Sequence, residues 1–145
     1  MLETVLLIIS PFIGAILWSF PSASILQWRA RKLESWTIKY KDAYLIAVKA
    51  ALIAAFLADL VIFSLVFAGF SDEKVLKPVA SLVGLGSWWI AHTNGLLKLA
   101  GPSNLIPVKR ARAISASVFG YLFVTLLGIG IGFVLIFLAA SAFFK

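Results

Sequence analysis

Cysteine is absent from the 145 residues, which excludes a disulfide framework, a thiolate nucleophile and any cysteine-ligated metal or iron–sulfur site. Histidine occurs once, at His92, so bis-histidine haem ligation is excluded as well. Acidic residues are few, six against thirteen Lys and Arg, and charged residues together make up 13% of the chain. A soluble domain averages about 25% charged residues. What fills the space is apolar: 62% of the residues are hydrophobic and the mean hydropathy is +1.04. This apolar content is gathered into long runs, which marks an integral membrane protein and, at this length, a single bundle.

The expected fold class is all-α integral membrane, with four transmembrane helices in an up-down bundle. The spans are placed at about 4–26, 43–70, 79–100 and 113–144, with basic loops at 27–42 and 101–112. Each run reaches or exceeds the roughly 20 residues that a bilayer requires. The first contains Pro11, which removes a backbone hydrogen bond and should kink the helix, and Pro21 near its inner end. Trp18 and Trp28 flank that end, where amphipathic rings favour the headgroup layer. The N-terminus lacks the basic region of a secretory signal, so this run is expected to be retained despite the small residues Ser22-Ala23-Ser24 after Pro21.

Nine of the basic residues lie beside predicted membrane ends, so the net charge of +7 points to topology and anionic lipid, not to nucleic acid. Arg29, Arg31, Lys32, Lys39 and Lys41 fall in the first loop, and Lys98, Lys109, Arg110 and Arg112 in or beside the third. The second loop has only Lys74 and Lys77. The positive-inside rule therefore predicts cytoplasmic first and third loops, with both termini on the non-cytoplasmic side. Within the first loop, Leu33, Trp36 and Tyr40 recur at helical spacing and read as an amphipathic surface segment, the alternative being a solvated positive loop.

Small residues on the second span, Ala47, Ala51 and Ala55 with an adjacent ladder at Ala50, Ala54 and Ala58, are expected to allow close helix packing. Gly128 and Gly132 form a GxxxG pair on the fourth. Asp59, near the middle of the second span, needs a partner or a job. At 1.5 Å per residue it lies roughly 16 Å from one membrane end, His92 roughly 20 Å and Tyr121 roughly 12 Å from theirs. These depths predict an intramembrane polar layer of Asp59, His92, Asn94, Tyr121 and Thr125, with His92 as the partner of Asp59. Such a layer suits a proton relay or, more simply, a polar pair that holds the bundle in register. Trp88-Trp89 reads as packing against helices or acyl chains rather than as a cofactor platform.

No Ser-His-Asp pattern, HExxH or phosphate-cradling loop occurs, so no catalytic residue, metal or cofactor is expected, and the chain reads as a non-enzyme. From Trp36 to Leu126, Tyr40-Lys41-Asp42-Ala43-Tyr44 leads into an alanine-rich span. A span with Trp88-Trp89 then ends in Gly95-Leu96-Leu97, and Lys109-Arg110-Ala111 opens the next helix. This layout resembles the Yip1-type family of small polytopic membrane proteins, whose usual pattern of five spans the chain departs from. The resemblance implies a membrane scaffold or adaptor without catalysis.

The expected function is a non-catalytic structural or accessory subunit of a larger membrane assembly, its partners being the lipid bilayer and other membrane subunits or further copies of itself. One alternative is a small proton or ion transport element using Asp59 and His92. Another is a trafficking or lipid-surface adaptor working through the basic segment around Arg29, Arg31 and Lys32.

Overall fold

A computed structural model describes residues 2–34, 36–70, 72–100 and 106–143, with side chains over 9–33, 36–70, 72–100 and 106–137. The described residues form four helices: α1 (Leu2–Glu34), α2 (Tyr40–Phe67), α3 (Glu73–Ala100) and α4 (Val108–Phe143). Three are long and apolar enough to cross a membrane: α1 over Ile9–Leu33, α2 over Tyr40–Phe67 and α4 over Val108–Phe137. The α3 helix has 28 residues but carries Ser81, Ser87, His92, Thr93, Asn94 and Lys98, which make it the most polar of the four.

Helix α1 does not stop at Leu26. Gln27 to Glu34 contains no helix breaker, and Ala30 continues the fully buried stripe of Ala23 and Leu26. The amphipathic segment expected over Leu33, Trp36 and Tyr40 is therefore divided between the end of α1, an extended connection and the start of α2. That connection is tied back onto α1. The Trp36 amide donates to the Ala30 carbonyl (3.3 Å), and Gln27 Nε2 donates to the Ile38 carbonyl (2.7 Å).

Helix α2 ends in a Schellman motif. The Phe70 amide donates to the Leu65 carbonyl and the Gly69 amide to that of Val66, both at 3.0 Å, while Gly69 takes the positive φ of 91° that this closure requires. Helix α3 then starts at once. Asp72 caps it by accepting the Lys74 amide on Oδ1 (2.9 Å), and Lys77 bonds Glu73 across one turn at 2.5 Å. That bond and the ammonium charge hold the exposed Glu73 carboxyl below its usual range. The helical start at Glu73 corrects the expected loop over 71–78: Pro78 lies inside the helix, in its second turn, where its missing N–H forfeits a single bond. Helix α4 likewise starts five residues earlier than expected, so Lys109, Arg110 and Arg112 ride on its first turns.

Among the described residues α2 packs on α1 and on α3, α4 packs on both as well, and the backbones of the diagonal pairs stay apart. The core sits at the end where α1 finishes and α2 begins. It is built from Ala23, Leu26 and Ala30 of α1, Ala43 and Ile46 of α2, Leu96 of α3, and Ala111, Ile114 and Val118 of α4. Nearly half of these are alanine, which lets backbones approach where Leu and Ile fill the gaps. Towards the other end burial thins among the described residues: no α2 side chain is buried after Ala50 and none of α4 after Val118, although Leu76 and Ala80 of α3 are buried there.

Candidate functional site

The α2–α3 register is set by glycines. A Cβ placed on Gly84 would lie 3.5 Å from Ala58 Cβ and 3.6 Å from the Ala54 carbonyl, and one on Gly95 would lie 3.0 Å from Ile46 Cγ2. These two contacts run antiparallel and place His92 level with about Lys49, ten residues along α2 from Asp59, or about 15 Å. No hydrogen bond or ion pair joins Asp59 to His92 among the described residues, so the expected partnership is not formed. The cause is the early start of α3, since moving that end from Val79 to Glu73 shifts His92 about 9 Å deeper.

His92 is instead fully buried between α3 and α4. Its Nδ1 and Ser115 Oγ are 2.9 Å apart, and the buried Thr93 hydroxyl donates to the same Ser115 oxygen at 3.2 Å. Trp88, one turn before His92, stacks on the imidazole (centroids 4.7 Å apart, 24° between planes) and meets Phe119 of α4 at 6.1 Å. His92 Nε2 is enclosed without a partner, as is Ser22 Oγ on α1. Ser115 was the residue that sequence reasoning missed. It lies three residues after Arg112, where a serine reads as part of the membrane interface.

The other members of the expected polar layer are dispersed. Asn94 is exposed. Tyr121 is 42% exposed on α4 and meets Trp28 of α1 edge-on at 5.1 Å. Thr125 donates to the Tyr121 carbonyl within its own helix (2.8 Å). Asp59 is half-buried on α2. The layer is thus not assembled within this chain.

A second cluster joins α1 to α4. Arg29 Nε donates to Ser117 Oγ (3.1 Å), and its guanidinium carbon lies 5.3 Å from the Tyr121 ring centroid and 5.4 Å from that of Trp28. Lys32 Nζ lies 5.1 Å from the Trp28 ring. Arg29 is half-buried by this clamp, whereas Arg31, Lys32, Lys39, Lys41, Lys109, Arg110 and Arg112 are exposed around the same end of the bundle.

Of the predicted packing residues, Ala47 is buried, and Ala51 and Ala55 are half-buried. Gly128 and Gly132 differ: among the described residues a Cβ on either would meet nothing within 4 Å, so no described part of another helix covers them. Among the described residues no group of three His, Cys, Asp or Glu converges as a metal site would require. Compared with models of protein families, with curated proteins and with solved structures, the chain matches none.

Proposed function

We propose that the chain is a multi-pass integral membrane protein that serves as a non-catalytic structural or accessory subunit of a larger membrane assembly. In this reading α3 is the fourth span, packed along α2, and the basic helix ends face the cytoplasm. The observation that carries the proposal is the GxxxG face of α4, which no described residue of another helix covers. Lipid can cover an apolar surface, but a small-residue pair gains from close approach only when another helix fills the space. Asp59 supports the same reading, because an acid near the middle of a span that has no partner among the described residues calls for one outside them.

The transport alternative draws less support, since Asp59 and His92 lie about 15 Å apart along the bundle. The adaptor alternative rests on the exposed basic residues, although Arg29 is engaged by the α4 clamp. Extraction from the native membrane in a mild detergent tests the proposal. Co-extracted subunits or copies are expected, and a stable, partner-free monomer contradicts it.

A further inference from the structure

Between α2 and α3 runs an open groove of about 670 Å³, within the range of small-molecule sites. Its composition changes along its length. At the end near the core it is lined by Asp42, Lys98 and Asn94, and Lys49 lies seven residues further along α2, about 10 Å. Beyond Lys49 the walls are mostly apolar, with Ile53 and Leu57 on α2 and Ile90 on α3, and the Ser87 hydroxyl as the polar exception. Leu57 lies about 12 Å past Lys49 towards the bundle's other end.

We propose that this groove binds one anionic phospholipid, its phosphate held by Lys49, Lys98 and Asn94 and an acyl chain laid along Ile53, Leu57 and Ile90.

Three observations select this occupant. First, neither Lys49 nor Lys98 makes an ion pair among the described residues, so both ammonium groups are available to an anion. Asp42 lines the mouth too, but two cations outnumber it, and Asn94 adds a neutral amide donor. Second, the order of polarity matches an amphiphile inserted from the leaflet beside the basic helix ends. Lysine stems can lie along apolar walls while their charged heads reach headgroup level. Third, the groove is open along its side, so a lipid enters by lateral diffusion without passing through water. Basic pockets between membrane helices are suited to anionic headgroups on the same electrostatic grounds.

The inference does not depend on a partner subunit, and its test uses the isolated full chain. The protein is purified with a mixture of phosphatidylglycerol and phosphatidylcholine, and the lipid that stays bound is counted by native mass spectrometry. One tightly held phosphatidylglycerol is expected per chain. The double variant Lys49→Gln/Lys98→Gln should retain it at least fivefold less, and Lys49→Arg/Lys98→Arg should retain it as the parent does. Arg31→Gln/Lys41→Gln, which lowers the charge outside the groove equally, should change retention less than twofold. Ile53→Trp fills the apolar part with the lysines intact and should reduce retention as well, which provides a reading even if the glutamine variant fails to fold. Unchanged retention in Ile53→Trp, or equal losses from the groove and the outer-surface variants, overturns the proposal.

Discussion

His92 of α3 and Ser115 of α4 meet at 2.9 Å in the fully buried part of the bundle, through Nδ1, while the other ring nitrogen, Nε2, is enclosed without a partner. Ser115→Ala removes the shared partner of both His92 and Thr93, leaving buried polar atoms unpaired. A loss of about 1 kcal/mol is expected, at the lower end of the range for buried groups because a membrane-embedded unfolded state also finds partners. Ser115→Thr, which keeps the hydroxyl, should recover most of it. Thermal unfolding in one detergent, followed by circular dichroism, compares the two.

Gly95 and Gly86 lie on the same helix and should respond to alanine in opposite directions. At Gly95 the added Cβ meets Ile46 Cγ2 at 3.0 Å and Cγ1 at 3.2 Å, and a β-branched side chain has little room to turn away. Gly95→Ala should destabilise by about 1–3 kcal/mol. At Gly86 nothing lies within 4 Å, so Gly86→Ala should be neutral or gain up to about 1 kcal/mol from helix propensity. Combining Gly95→Ala with Ile46→Ala should cost less than the sum of the two, the coupling that a direct contact requires.

The Arg29 clamp makes a distinction between charge and shape. Arg29→Lys keeps the charge but loses the planar group that lies against both Trp28 and Tyr121 and bonds Ser117. A loss of about 0.5–2 kcal/mol is expected, with a change in tryptophan emission as Trp28 loses its neighbour. Arg31→Lys, on an exposed side chain, should leave both unchanged.

Asp72 caps α3 and so sets the depth of everything that follows it. Asp72→Ala should cost about 1 kcal/mol, whereas Asp72→Asn or Ser should cost little. Breaking the exposed Glu73–Lys77 pair by Glu73→Gln should have no measurable effect on unfolding at pH 7.

These residues also show what could be read in advance. The α2 span and its alanine ladder were legible because apolar length and small-residue spacing are properties of one helix at a time. The polar layer was not, because it depends on the offset between helices. That offset turned on Asp72 and Pro78: read as loop residues they put His92 near Asp59, but as the cap and second turn of α3 they put it near Ser115. Likewise the GxxxG pair was visible in the sequence, whereas its lack of a neighbour among the described residues required the arrangement of all four helices.

In the proposed reading, the GxxxG face of α4 is a contact surface in a larger assembly. The most direct measurement is the mass of the complex extracted from its native membrane in a mild detergent, for the parent chain and for Gly128→Leu/Gly132→Leu. The parent complex should be heavier than one 15.7 kDa chain and its detergent, and the variant should keep its helical content but lose the added mass. A parent chain that runs as a stable, partner-free monomer, or a variant whose assembly is unchanged, would contradict it.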